Sequence, residues 1–176
     1  AMSGSWDKTV RVWDLSDSND HKVELWHDFK EQGSGQDVTS VGDTVQSHSD
    51  KVNSVSLSAD ATRAVSGSWD KTVRVWDLSN DGECLHTLKG HTSTVTSVSL
   101  SANGSRAVSG SLDNTVRVWD LSNGERLTTL EGHSDWVWSV SLSADGCRAV
   151  AGSSDKTVRV WDLRKGGGLH SSRGHS

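Results

Sequence analysis

Apolar and polar residues alternate along three short stretches between residues 48 and 88, and each stretch has the period of a β-strand. In residues 52–57, 63–68 and 72–78, valine, alanine or leucine is interleaved with serine, asparagine or arginine. Such alternation predicts half-buried strands. Residues 84–88 predict a fourth strand, and the polar stretches 58–61 and 69–71 predict the tight turns between the first three. The chain has no proline to break these strands, and the pattern gives almost no support for helix.

The same unit recurs along the chain. The sequence SGSWDKTVRVWDLS occurs unchanged at 3–16 and 66–79, with near copies at 109–122 and 151–164. The copies begin at residues 3, 66, 109 and 151, so the last two intervals are 43 and 42 residues and the first is 63. A period near 40–45 residues is that of a four-stranded propeller blade, which buries its faces against its neighbours. We predict an all-β chain of four-stranded antiparallel blades, with boundaries 3–47 (incomplete, with an insertion at 17–46), 48–90, 91–132 and 133–176.

The repeated residues resemble the WD-repeat family of β-propellers. The pattern is Gly-His, two strands, Ser-x-x-x-Asp and Trp-Asp, and the resemblance covers nearly all of the chain outside residues 17–46. It implies that each blade carries a buried tetrad of His, Ser or Thr, Asp and Trp. The matching sets are His48, Ser66, Asp70 and Trp76; His91, Ser109, Asp113 and Trp119; and His133, Asp155 and Trp161, with Ala151 in place of the serine.

The predicted strand register brings these residues together as well. With a turn at 69–71, Ala64 lies opposite Trp76, so Ser66 is a diagonal neighbour of the indole on the same face. The indole can then donate to the hydroxyl, the hydroxyl to the imidazole and the imidazole to the aspartate. We expect Ala151 to break this chain in the last blade. The alternative is a Ser-His-Asp hydrolase triad, which we disfavour because the set recurs in every blade and its serine lies in mid-strand.

The array is incomplete at its first blade. Residues 3–16 supply only the end of a second strand and a third strand, while residues 173–176 begin a repeat that does not continue. Ser3, Asp7 and Trp13 therefore lack a histidine of their own. His175, from the same chain or another, is the candidate to complete them.

Four units are too few to close the usual ring. Propellers that close within one chain and resemble this one usually have about seven or eight blades. We therefore expect a second chain to close the ring by head-to-tail contact, as a homodimer. Within the insertion, residues 23–29 predict an outer strand, and residues 38–41 are either a displaced inner strand or part of a solvated loop.

Composition narrows the classes of partner. The net charge is −5, and the 18 Lys and Arg residues are scattered along the repeats, which disfavours a nucleic-acid partner. The longest apolar run is only a few residues, so we expect a soluble, cytoplasmic protein without a membrane segment. Cys84 and Cys147 lack metal-ligand spacing and are interpreted as two strand thiols. We predict no cofactor and no metal.

The family resemblance implies a docking face at the ends of the blades. The residue before each turn aspartate and those flanking the first-strand valine are expected to project there. They are Trp6, Trp69, Leu112, Ser154, Lys51, Asn53, Thr94, Thr96, Trp136 and Trp138. Exposed indoles are suited to anchoring partners, and the alternative is that they cover loops or fill seams. The function so implied is a non-enzymatic protein-interaction scaffold; the alternatives are a self-assembling module and a carbohydrate-binding propeller.

Overall fold

The structure is a computed structural model, and it describes residues 2–4, 10–12, 47–79, 82–165 and 168–174. The strands among these residues pair antiparallel, and their one helical segment is a single 3-10 turn, Leu163–Lys165. No helix in these ranges is long and apolar enough to span a membrane. Several predictions fall outside the described residues: the strands at 23–29 and 38–41, and the positions of Trp6, Asp7, Trp13 and His175.

Three sheets of four strands occupy the three complete repeats, and in each sheet the strands follow one another in chain order. The first comprises β3 Val52–Leu57, β4 Arg63–Ser68, β5 Val73–Asp77 and β6 Glu83–Leu88; the second β7 Val95–Leu100, β8 Arg106–Ser111, β9 Val116–Asp120 and β10 Glu125–Leu130; the third β11 Val137–Leu142, β12 Arg148–Ser153, β13 Thr157–Asp162 and β14 Gly168–Gly174. The predicted all-β fold of four-stranded antiparallel blades is confirmed.

A two-stranded sheet precedes these three. It pairs β1 Met2–Gly4 with β2 Val10–Val12, at the positions predicted for the end of a second strand and for a third strand. Strand β1 contacts β3 in the way that β4 contacts β7. The incomplete unit therefore lies beside the first complete sheet.

The turns that join first and second strands share one geometry. Ser58 N–H donates to the Arg63 carbonyl at 2.9 Å, and Ser101 and Ser143 make the same bond in the later copies. Ala61 takes the left-handed conformation at φ 56° where the other copies have glycine. Cys84 lies in β6, whereas Cys147 lies in the third copy of this turn, just before β12. The prediction of a strand position is therefore wrong for Cys147; both thiols are free.

The core lies between the sheets. Val65 and Val75 of the first sheet pack in one cluster with Val95 and Trp119 of the second. The approach is so close that a Cβ on Gly67 would lie 2.6 Å from Val95 Cγ1. A glycine on the second strand therefore lets the next sheet's first strand come into contact. Each sheet buries its apolar face on its neighbour, as the repeat predicted.

The third sheet differs from the first two because the face of β12 that would pack on a following sheet is not covered by any described residue. Val65 and Val108 are fully buried, but Val150 at the same place in β12 is 36% exposed. A Cβ on Gly152 would meet nothing within 4 Å, while one on Gly110 would lie 2.7 Å from Val137 Cγ1. Within the described ranges, β12 therefore lacks the packing partner that β4 and β8 have.

Candidate functional site

A hydrogen-bonded tetrad crosses the first complete sheet. Trp76 Nε1–H donates to Ser66 Oγ at 2.9 Å, and Ser66 Oγ lies 2.8 Å from His48 Nε2. His48 Nδ1 is 2.8 Å from Asp70 Oδ2. Because a carboxylate only accepts, Nδ1 carries a proton, and in the neutral imidazole Nε2 accepts from the serine hydroxyl. Pairing of Ala64 with Trp76 sets this geometry, since it places Ser66 diagonally beside the indole.

The second sheet repeats the tetrad. Trp119 Nε1–H donates to Ser109 Oγ at 2.8 Å, His91 Nε2 lies 2.8 Å from the same oxygen, and His91 Nδ1 lies 2.8 Å from Asp113 Oδ2. Burial lowers the pKa of His91, although the Asp113 carboxylate opposes that shift. The lowered pKa favours the neutral imidazole, in which Nδ1 donates to Asp113 and Nε2 accepts from the Ser109 hydroxyl.

Each tetrad aspartate also caps a turn, through a threonine that the sequence analysis did not single out. Asp70 Oδ1 accepts from the backbone N–H of Thr72 at 2.9 Å and from its hydroxyl at 2.6 Å. Burial alone would raise the pKa of Asp70, but hydrogen bonds from His48 and Thr72 outweigh it and hold that pKa well below its usual range. The signal available in the sequence was the Asp-x-Thr spacing, repeated at Asp113 and Asp155.

The third sheet holds an interrupted tetrad. His133 Nδ1 remains 2.8 Å from Asp155 Oδ2. Ala151 occupies the register position of the serine, opposite Arg159 as Ser66 is opposite Arg74. His133 Nε2 is buried and has no hydrogen-bond partner. The expected break in the chain of hydrogen bonds is present in this sheet.

Restoring the hydroxyl with Ala151→Ser is expected to raise the free energy of unfolding by about 1 kcal/mol, because it gives His133 Nε2 a donor. The reciprocal variant, Ser109→Ala, is expected to lower it by about 1–3 kcal/mol, because it leaves His91 Nε2 and Trp119 Nε1 without their shared partner. Urea unfolding of both variants measures the difference. A destabilising Ala151→Ser would show that this site cannot accommodate the hydroxyl.

The tetrads are placed for structure and not for nucleophilic attack. Ser66 and Ser109 are fully buried in mid-strand, and each hydroxyl already bonds an indole and an imidazole. A nucleophile has to contact its substrate, which a buried and fully bonded hydroxyl does not do. No cluster of three or more potential metal ligands occurs in the described part of the chain. The exposed chemistry lies elsewhere, at one end of the sheets.

That end carries the predicted docking residues, and we call it the rim: the residues at the start of β3, β7 and β11 and in the turns after β4, β8 and β12. Backbone bonds fix it, since the N–H groups of Trp69, Leu112 and Ser154 donate to the carbonyls of Lys51, Thr94 and Trp136. Trp69, Trp136 and Trp138 are 45%, 48% and 53% exposed. The rim therefore presents three large aromatic side chains to solvent.

Two of the other predicted docking residues hydrogen-bond to the next sheet. Asn53 Nδ2–H donates to the Val95 carbonyl of the next sheet at 3.0 Å. Thr96 donates its hydroxyl to the Val137 carbonyl at 2.6 Å. Leu112 and Thr94 are half-buried. In the first two sheets, one rim side chain each, Asn53 and Thr96, therefore joins its sheet to the next.

Comparison with known proteins gives one family and several partial relatives. The family model described as "WD domain, G-beta repeat" matches residues 1–14, 33–77, 82–120 and 124–162. The ribosome biogenesis protein WDR12 homolog of Drosophila virilis is 35% identical over 82 residues, which cover 46% of this chain and 18% of that protein. Small ribosomal subunit protein RACK1 of Schizosaccharomyces pombe is 38% identical over 85 residues, covering 48% and 22%. The matched segments span about a fifth of these relatives.

Proposed function

The chain belongs to the WD40 repeat family, and on that premise we propose that it is a non-enzymatic protein-interaction scaffold whose docking surface is the rim. WD-repeat proteins generally act as protein-interaction scaffolds, and this supports the class of function. The observation that carries the choice of surface is the exposure of three indoles at the same end of the sheets, Trp69 in the first sheet and Trp136 and Trp138 in the third. Trp is the residue type most enriched among interface anchors.

Two further features support a protein partner in the cytoplasm. The net charge of −5 is unsuited to a phosphate backbone. Cys84 and Cys147 are free thiols, as expected of a protein in a reducing compartment. Two of the relatives are a ribosome biogenesis protein and a small ribosomal subunit protein, so a ribosome-associated partner is one class to test first.

The test compares a rim variant with a matched control. In the rim variant, Trp69, Trp136 and Trp138 are replaced by alanine; in the control, Leu127→Ala removes an apolar side chain of similar exposure, 49%, from the outer strand β10. We expect proteins that crosslink to the wild-type chain to crosslink equally to the control and at least tenfold less to the rim variant. Equal crosslinking of all three proteins would contradict the proposal.

The uncovered face of the third sheet favours a second function, self-association. In the two complete interfaces, a pair of valines on a first strand packs over the glycine of the preceding second strand, as Val137 and Val140 do over Gly110. Gly152 and Val150 form the equivalent surface on β12, and no described residue packs against it. We propose that a second copy of this chain covers it and continues the array as a homodimer.

A further inference from the structure

Two indoles form a corner on the rim of the third sheet. The ring centroids of Trp136 and Trp138 are 5.9 Å apart and their planes meet at 83°. About half of each side chain is exposed. Because the two indole rings are nearly perpendicular, their aromatic faces are accessible to a ligand that approaches from solvent.

The corner is held in place before any ligand arrives. Trp138 Nε1–H donates to Ser154 Oγ at 2.6 Å, which fixes the ring. The backbone of Trp136 is bonded on both sides, because its N–H donates to Asp135 Oδ1 at 2.7 Å and its carbonyl accepts from Ser154 N–H at 2.9 Å. A preorganised aromatic site loses little conformational entropy on binding.

The first sheet shows what such an indole contacts. There, Lys51 Nζ lies 4.7 Å from the ring centroid of Trp69, and Trp69 Nε1–H donates to Asn53 Oδ1 at 2.7 Å. Trp138 and Ser154 occupy the positions in the third sheet that Asn53 and Trp69 occupy in the first, and both bonds join residues 16 apart. The indole donor and its acceptor have therefore exchanged positions. The chain therefore covers the indole of its first sheet with its own ammonium group.

In the third sheet, no cation of the described residues lies over either indole. Trp136 stands where the first sheet has Lys51, and the cation–π contact found among the described residues is the one on Trp69. Two carboxylates lie close by in sequence, Asp135 and Asp155, against one nearby cation, Lys156. Asp155 is ionised because hydrogen bonds from Thr157 and His133 outweigh the effect of burial and hold its pKa well below the usual range.

We infer that the Trp136–Trp138 corner binds an arginine side chain of a protein partner. The negative faces of the two indoles attract a cation, the exposed Asp135 side chain lies beside Trp136, and a guanidinium stacks on an aromatic face with less loss of hydration than an ammonium. The inference rests on the proposed scaffold function, for which it names the chemistry of the partner at one site.

The experiment titrates the full chain with three short peptides that differ in one residue. The peptides carry arginine, citrulline or lysine at the centre of a Gly-Ser sequence; citrulline keeps the shape of arginine without its charge. Binding is followed by the indole N–H resonances of Trp136 and Trp138. We expect saturable shifts with the arginine peptide, at least tenfold weaker binding of the citrulline peptide, and intermediate binding of the lysine peptide.

Three variants locate the site. Trp136→Ala is expected to weaken arginine binding at least tenfold, while Leu127→Ala leaves it unchanged. Lys51→Ala uncovers the indole of Trp69 and is expected to add a second, weaker response at the Trp69 resonance. Equal affinity for arginine and citrulline, or a response to a saccharide in place of the peptide, would overturn the inference.

The two proposals can fail separately. If the rim variant loses its crosslinked partners but the arginine peptide does not bind, the scaffold function stands and the guanidinium site is wrong. If the peptide binds at Trp136 and Trp138 but crosslinking is unchanged in the rim variant, the corner is a cation site and the rim is not the docking surface.

Discussion

Replacing Asp113 by alanine is expected to lower the free energy of unfolding by about 3 kcal/mol or more, because each buried donor left without an acceptor costs about 1–3 kcal/mol. Its carboxylate accepts from His91 Nδ1 at 2.8 Å, from Thr92 N–H at 3.0 Å, and from the N–H and hydroxyl of Thr115 at 3.0 and 2.6 Å. Alanine leaves these donors unpaired at a side chain that is only 7% exposed. One residue therefore holds the imidazole and the turn at once.

Urea unfolding at neutral pH measures the effect. Asp113→Asn is expected to have an intermediate effect. Its amide oxygen can still accept a hydrogen bond, but its NH₂ group would face the His91 N–H donor. Glu125→Ala removes an exposed carboxylate from the outer strand and is expected to stay within about 0.5 kcal/mol of wild type. A loss for Asp113→Ala as small as that for Glu125→Ala would show that the tetrad does not stabilise the sheet.

The same carboxylates set the response to acid. Hydrogen bonds from His91 and Thr115 outweigh burial and hold the pKa of Asp113 well below its ordinary value, near 4 in an unfolded chain. Below about pH 4 the Asp113 carboxylate binds a proton in the unfolded chain but not in the folded chain. Stability is therefore lost as the pH falls toward the folded pKa. The lowered pKa of His91 acts in the same direction from about pH 6.5 downward. Below about pH 4, where the carboxylate titrates in the unfolded chain, the acid-dependent loss should therefore be less steep in Asp113→Ala than in wild type.

The elements and tetrads were predictable because they depend on local patterns that repeat. Alternation located β3 and β4 at their observed residues, and the turn at 69–71 fixed the register that brings Ser66 to Trp76. The lost partner of His133 followed from a single departure from the repeat, Ala151. Deviations from a repeat are informative because the other copies show what the position normally supplies.

The rim was less predictable because side-chain direction there depends on the neighbouring sheet. Thr96 follows the same pattern as Trp138, yet its hydroxyl reaches the Val137 carbonyl of the next sheet. Lys51 and Trp69 were both expected on the rim, but their contact with each other requires the two elements to approach within a few ångströms. Sequence spacing places a residue at the end of a strand without saying what lies beside it.

Replacing the second-strand glycine by alanine is expected to give the second large effect on stability. Comparing two such glycines distinguishes an effect on folding from an effect on self-association. Gly110→Ala is expected to destabilise the chain by about 1–3 kcal/mol, because the new Cβ would lie 2.7 Å from Val137 Cγ1 and 2.8 Å from Val140 Cγ1 in a packed interface. Gly152→Ala has the same strand position in the third sheet, where nothing lies within 4 Å. In dilute solution its unfolding free energy is expected to stay within about 0.5 kcal/mol of wild type.

Self-association is expected to be sensitive to Gly152→Ala, although the unfolding free energy is not. If a surface of a second copy packs as closely over Gly152 as Val137 and Val140 pack over Gly110, the same methyl group costs the dimer about 1–3 kcal/mol, which weakens self-association roughly five- to 150-fold. Sedimentation over a range of concentrations measures it, with Leu127→Ala as the control for an apolar side chain on an outer strand. A wild-type chain that stays monomeric at every concentration, or a Gly152→Ala dimer as tight as wild type, would show that no copy of this interface forms at β12.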